Sequence, residues 1–186
     1  MTILPIDEIN RLKEDIGIHF EDGKIRSESD CEDIIDEMLD LFLLAYANGQ
    51  ESTNQDLSSD ITSPIEDVME TIDKEIEGKT WRERVWEYYR GGGTEADIER
   101  IIETEAHRDS NEAAYKTATR AGAKTKTWHC MMLPTSRDSH IFLDGVSAPI
   151  DGLFYSINGG QTYFPGEWGI PEEDCNCLCW LTYSFT

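Results

Sequence analysis

The sequence predicts an α+β fold: a mainly helical N-terminal half followed by a long helix and a small C-terminal antiparallel sheet. Three observations predict it. Apolar residues recur at three- and four-residue spacing as far as about Ala121, short strand-like runs replace that pattern from Lys124, and turn-forming residues crowd the last third of the chain. Helices first and strands afterwards are typical of α+β proteins.

Four helices are predicted before the long one, each between a start signal and a stop signal. They run from Pro5 to Ile16, from Ser29 to Asn48-Gly49, from Ser63-Pro64 to Gly78, and from Thr80 to Gly91-Gly92-Gly93. Between the second and the third, residues 50–62 carry almost nothing apolar, which predicts a loop or linker.

The long helix is predicted from Glu95 to about Ala121, capped by Thr94, with small residues in its second half that suit close packing. Strands are then predicted over 124–132 and from Cys175 to Tyr183. We therefore divide the chain into an acidic helical region, 1–78, and a second region, 79–186, that contains the long helix and the small sheet.

The charge restricts the function. The net charge is −22, and residues 1–77 carry 22 acidic and 5 basic side chains. Such a surface repels phosphate backbones, so we expect no sequence-specific nucleic-acid binding, and a basic protein surface is the better partner. The longest apolar run has seven residues, 41–47, and the N-terminus has no secretory signal, which predicts a soluble protein folded in a reducing cytoplasm with no membrane contact.

The cysteines suggest a metal site. Cys175, Cys177 and Cys179 alternate, so in a strand all three thiols would lie on one face. With His140 they make four ligands of the kinds that a closed zinc site uses, although Cys177, Cys179, His140 and some other fourth ligand would be less strained. Cys130 and Asp138 are reserve ligands. The simpler alternative is that these cysteines are small buried apolar side chains.

Enzyme interpretations start from three other patterns. Glu103-Thr104-Glu105 looks like the paired acids of ADP-ribosyltransferases, but residues two apart on a helix do not share a face. A metal-dependent hydrolase at His140 is a second alternative. A cysteine nucleophile at Cys130 is a third, but nothing in this acidic chain is expected to lower its pKa. A non-enzymatic alternative is an acidic DNA mimic that regulates a basic protein.

An ordered set of short motifs resembles the Mu F-like minor head proteins of tailed bacteriophages, also called the phage head morphogenesis family. The set covers about ninety residues: the helix 98–108, then Asn111, Ala121-Gly122, Trp128, Arg137-Asp138-Ser139-His140, Leu143-Asp144-Gly145, Phe154, Pro165-Gly166 and Asn176-Cys177-Leu178-Cys179. Leu178 stands where the family usually has Arg, and Leu133-Pro134 stand where many members have Asp.

This resemblance implies a non-enzymatic virion protein. It implies a low-copy component of the head near the portal, assembled in the host cytoplasm. Its partners would be the portal or other capsid proteins, and its role would be in head morphogenesis and DNA packaging or ejection. Any zinc, held by His140, Cys175, Cys177 and Cys179, would be structural.

Overall fold

The computed structural model describes residues 6–54, 62–76 and 78–186. The helices are α1 (Ile6–Ile16), α2 (Glu28–Asn54), α3 (Ile65–Ile72), α4 (Trp81–Gly91), α5 (Glu95–Arg120), α6 (Asp138–Ile141) and α7 (Pro171–Asp174). The strands are β1 (Phe20–Glu21), β2 (Lys24–Ile25), β3 (Thr125–His129), β4 (Ser147–Pro149), β5 (Phe154–Tyr155), β6 (Gln161–Thr162) and β7 (Trp180–Ser184). The predicted α+β fold is confirmed. In the described ranges no helix is long and apolar enough to cross a membrane.

The main sheet has three antiparallel strands in the order β4-β3-β7. Thr125 of β3 pairs with Ser184 of β7, and His129 pairs with Trp180. The predicted strand from Cys175 to Tyr183 is wrong at its start, because β7 begins only at Trp180. Asn176 has a φ of 55°, a left-handed conformation that breaks an extended strand.

Two hydrophobic cores lie along α5. The first packs α1, α2 and α4 against the N-terminal half of α5, and the second fills the space under β3 and β7 around Trp128. The first core joins residues from both sides of residue 78, among them Ile16, Phe42, Trp81 and Ile102. The division of the chain into 1–78 and 79–186 stays a prediction.

Two predicted helix ends are wrong. Gly49 does not end α2, which continues to Asn54 and so takes up the first residues of the predicted linker, while residues 55–61 lie outside the described residues. A β-carbon on Gly49 would lie 2.0 Å from the Ser110 carbonyl oxygen on α5. Glycine is therefore needed where the two helices cross. α3 ends at Ile72 instead of Gly78, because Ile76 pairs with Lys79 in a short bridge.

We expect Gly49→Ala to destabilise the protein by about 1–3 kcal/mol, because the added methyl group must push α2 and α5 apart. Gly91→Ala is the matched control: Gly91 is also helical, and the described part of the chain leaves the space beside it open. That change should be neutral or slightly stabilising. Urea unfolding of both variants measures the difference, and equal stabilities would contradict the role given to Gly49.

Lys126 is a fully buried lysine inside the second core. Its Nζ lies 4.6 Å from the ring centroid of Tyr115, 5.1 Å from that of Tyr163 and 5.5 Å from that of Phe154. It has no hydrogen-bond partner among the described residues. Burial lowers the pKa of Lys126 to about 8, although the negative charges of nearby acidic side chains act in the opposite direction. The ammonium is thus stabilised by contacts with aromatic rings and by the more distant charges of Asp151 and Glu167.

The pKa of Lys126 is about 8 in the folded chain and has its ordinary value of 10.5 in the unfolded chain. Between these two pH values the unfolded chain therefore binds a proton that the folded chain does not. Stability should therefore rise as the pH increases from about 8 towards 10.5. Lys126→Met should flatten this rise, whereas Lys124→Met, at an exposed position, should not. Urea unfolding at several pH values gives the slopes, and an unchanged slope in Lys126→Met would refute the assignment.

Candidate metal centre

Three of the predicted ligands meet in one buried cluster. The ligand atoms of His140, Cys177 and Cys179 all lie within 4.8 Å of one another, and none of the three side chains is exposed. Nδ1 of His140 is 3.6 Å from Sγ of Cys177 and 3.4 Å from Sγ of Cys179. Two sulfurs and an imidazole nitrogen at such distances form a group that could hold a metal ion.

Local structure determines which cysteines join the cluster. His140 lies in the single turn of α6, and the left-handed Asn176 turns the chain so that Cys177 and Cys179 reach it. Cys175 is half-buried and lies outside the group. Its carbonyl accepts a hydrogen bond from the Arg137 guanidinium, which connects the two loops beside the cluster.

A carboxylate supports the imidazole from its other side. Nε2 of His140 lies 3.0 Å from Oε2 of Glu173. Glu173 is buried and accepts hydrogen bonds of 2.8 Å each from Ser139, Ser156 and Asn158. A carboxylate that orients a histidine so that its other nitrogen faces a metal is a common arrangement in metal sites.

The charges in the cluster favour a thiolate. Burial opposes charge on both Glu173 and His140, yet hydrogen bonds lower the pKa of Glu173, and contacts with Cys177 and Glu173 raise the pKa of His140. Contacts with Cys179, His107 and His140 hold the pKa of Cys177 well below its ordinary value, despite burial. The hydrogen bond with Cys177, together with burial, raises the pKa of Cys179. The thiol with a lowered pKa is thus Cys177, a residue that was considered as a metal ligand and not as a nucleophile.

Three residues that were not predicted as part of the site lie around the cluster. His107 and Asn111 lie on α5, where Nδ2 of Asn111 donates to the Cys179 carbonyl at 3.2 Å and lies 2.9 Å from Nε2 of His107. Glu173 was also missed. The spacing of the polar residues on α5 could not reveal this role, because buried and exposed polar residues look alike in a sequence.

The acid pair considered for an ADP-ribosyltransferase is divided between two environments. Glu103 lies at the surface and pairs with Lys13 at 2.7 Å. Glu105 is fully buried and forms ion pairs with Arg84 and Arg108. The two acids therefore share no site. On the same helix His107, Arg108 and Glu112 are buried, so their side chains make packing contacts inside the protein.

Cys177 borders a pocket of about 260 Å³ next to α1. A separate, small void lies beside the cluster. It measures about 30 Å³ and is bordered by Cys130, His140, Cys177 and Cys179 together with the loops 131–137 and 176–178. This is room for a metal ion or a water molecule, and far less than the several hundred Å³ of an ordinary ligand pocket. This void therefore suits metal coordination better than binding of an organic substrate.

Comparison with known proteins gives a family. Residues 60–182 match the model of the family described as Phage Mu protein F like protein. The chain is also 35% identical over 83 residues to the minor head protein GP7 of Bacillus phage SPP1. That alignment covers 43% of this chain and 27% of the relative, so the chain spans about a quarter of that protein's length. No solved structure matches. The family match covers well over half of the chain and includes α5, the main sheet and the cluster, so the chain belongs to the Phage Mu protein F like family.

Proposed function

We propose that this protein is a bacteriophage minor head protein that acts in head morphogenesis and is not an enzyme. Its family membership and the similarity to a protein named minor head protein support this function. We place it in the virion head near the portal, assembled in the host cytoplasm, with the portal or another capsid protein as its partner. A role in DNA packaging or ejection would follow from that position.

The observation that carries the proposal is where the family-like residues lie. Arg108 and Asn111 on α5, and Trp128, His140 and Cys177 in the sheet region, are buried, while Asp138, Asp144 and Leu178 lie at the surface. Asn111 connects the helix directly to the carbonyl of Cys179. Residues that substrates must reach are exposed in a cleft, whereas residues that stabilise a scaffold are buried. The shared residues thus fit a structural role.

We further propose that the cluster holds a structural zinc ion. His140, Cys177 and Cys179 supply the nitrogen and sulfur ligands that zinc prefers, and a four-coordinate ion would fasten the loop 175–179 to α6. The assignment of Cys175 as a further ligand stays a prediction, since its side chain lies outside the group of three. Zinc at this position would stabilise the fold and supply no chemistry.

The C-terminal half also offers apolar side chains for docking. Met131, Leu133 and Leu178 are each more than a third exposed and line the same small opening beside the cluster. Leu178 is the residue that stands in place of the family's usual Arg. Exposed apolar side chains that lie together indicate a protein contact. We propose this apolar rim (Met131, Leu133 and Leu178) as the contact with the portal or inner capsid.

Co-purification with the portal protein, and mass spectrometry of purified heads and procapsids, test the proposal. We expect the protein in both particles, and we expect Leu178→Asp to weaken portal binding. The control is Asp36→Lys with Asp40→Lys on the exposed face of α2, which should leave portal binding intact. Absence of the protein from heads and procapsids would sink the proposal. Loss of a basic protein partner in the charge-reversed control would instead favour the DNA-mimic alternative.

A further inference from the structure

We propose that Cys130 supplies a third sulfur to the metal centre, so that zinc is held by Cys130, Cys177, Cys179 and His140. This inference rests on the structural zinc ion proposed above. It changes the predicted set of ligands, because Cys130 takes the place that the sequence suggested for Cys175. Three cysteines and one histidine are a common ligand set for closed, structural zinc sites.

The strand register places Cys130 beside Cys179. In the antiparallel pair β3-β7, Trp128 faces Leu181 and His129 faces Trp180. Continuing that register by one residue sets Cys130 opposite Cys179. Directly opposed residues have β-carbons about 4.5–5.5 Å apart and point to the same face of the sheet. Trp128 and Leu181 lie two pairs earlier and therefore point to the same face. Both are buried, so this face is the inner one.

The small void supports the same set. All four proposed ligands border it, and Cys175 does not. Cys130 is only 7% exposed, and its backbone N–H donates to Oδ1 of Asp144 at 2.9 Å, so its position is fixed. Its sulfur lies outside the group of three, so the proposal requires the Cys130 side chain to turn towards the ion while its backbone stays in place.

Two buried N–H groups indicate that the sulfurs are thiolates. Nε1 of Trp128 and Nδ1 of His107 have no hydrogen-bond partner within the part of the chain that the structure describes. Both rings lie at the cluster: Trp128 packs against His140 with 5.9 Å between the ring centroids, and Asn111 connects His107 to the Cys179 carbonyl. Metal-bound thiolates are the acceptors that these donors lack.

His107 itself is a poor candidate for the fourth ligand. Nδ2 of Asn111 is oriented by the Cys179 carbonyl and lies 2.9 Å from Nε2 of His107. An amide nitrogen only donates, so Nε2 accepts and the neutral ring carries its proton on Nδ1. A protonated nitrogen cannot bind a metal, but it can donate to the sulfur of Cys177. His107 is thus a positioning residue, and Cys130 is left as the fourth ligand.

X-ray absorption at the zinc edge of the full-length protein tests the proposal. We expect one zinc per chain with three sulfur ligands and one nitrogen ligand, and two sulfur ligands in Cys130→Ser. We also expect that variant to bind zinc on the order of 100-fold more weakly, since even the loss of a residue that only supports a ligand costs about 10- to 100-fold. Cys175→Ser is the matched control, and its zinc affinity and sulfur count should not change.

The possible failures are distinguishable. Two sulfurs in the wild type, with the same affinity in Cys130→Ser, would overturn the Cys130 assignment and leave the zinc proposal standing. Loss of a sulfur in Cys175→Ser would return the fourth place to Cys175. Protein purified with ample zinc that contains none would overturn both proposals. A Cys130–Cys179 disulfide, detected as a mass two daltons lower before reduction, would also overturn both.

Discussion

Removing the metal should reduce the free energy of unfolding by about 4 kcal/mol when the zinc in the reference sample is about a thousandfold above its dissociation constant. The reason is the small amount of regular structure around the cluster. The loops 130–137 and 175–179 carry few backbone hydrogen bonds of their own, so side chains at the cluster must hold them. The same ion would also keep Trp128 and Trp168 in place, since their ring centroids lie 5.9 and 6.0 Å from that of His140.

The measurement is urea unfolding in the presence of a reducing agent, with and without a zinc chelator, followed by near-ultraviolet circular dichroism. His140→Ala should behave like the chelated wild type and respond no further to the chelator. Cys31→Ala is the control, because Cys31 is buried in the first core on α2, away from the cluster, and its response to chelation should match the wild type. An unchanged urea midpoint on chelation would contradict a structural metal.

Sequence patterns predicted the features that depend on local chemistry. Thr94 was predicted to cap the long helix, and it does: Thr94 and Asp97 form a capping box at the start of α5. The closely spaced cysteines and His140 were predicted to meet, and Cys177 and Cys179 do meet it. Cys175 does not, because the left-handed conformation of Asn176 cannot be read from residue types alone.

The patterns failed where polar residues are buried. The second half of α5 buries a continuous run, from Glu105 to Ala114, that contains acidic, basic and amide side chains. Hydrophobic periodicity assigns such residues to the surface, so the junction between α5 and the sheet was not predictable. The prediction that α2 ends at Gly49 failed for a related reason. Only the tertiary structure shows that Ser110 lies against this glycine.

Replacing Arg108 should have the largest effect of any single substitution in this buried run. Arg108 is 1% exposed, and its guanidinium lies 2.6 Å from Oε2 of Glu105 and 2.8 Å from Oδ1 of Asp109. It also donates to the Thr71 carbonyl of α3 at 2.9 Å, and Gly166 packs against its α-carbon. The guanidinium therefore connects α3 and α5 and neutralises two fully buried acids.

We expect Arg108→Ala to destabilise the protein by about 3–5 kcal/mol, because it removes the counterion of the buried Asp109 and one of the two counterions of Glu105. Arg108→Lys should recover part of this loss, since lysine keeps the charge but loses the planar fork that contacts several acceptors at once. Arg100→Ala is the control. Arg100 pairs with Asp97 at the surface of the same helix, and such exposed pairs contribute only about 0–1 kcal/mol.

The pH dependence separates a lost counterion from lost packing. Burial raises the pKa of Asp109 well above its ordinary value, and Arg108 opposes that rise. Without Arg108 the pKa of Asp109 rises further, so folding takes up a proton that the unfolded chain does not bind at neutral pH. Stability is then retained at low pH and lost as the pH increases. The defect of Arg108→Ala, measured by urea unfolding, should therefore be smaller at pH 5 than at pH 8. A defect of equal size at both pH values would mean that Arg108 acts through packing alone.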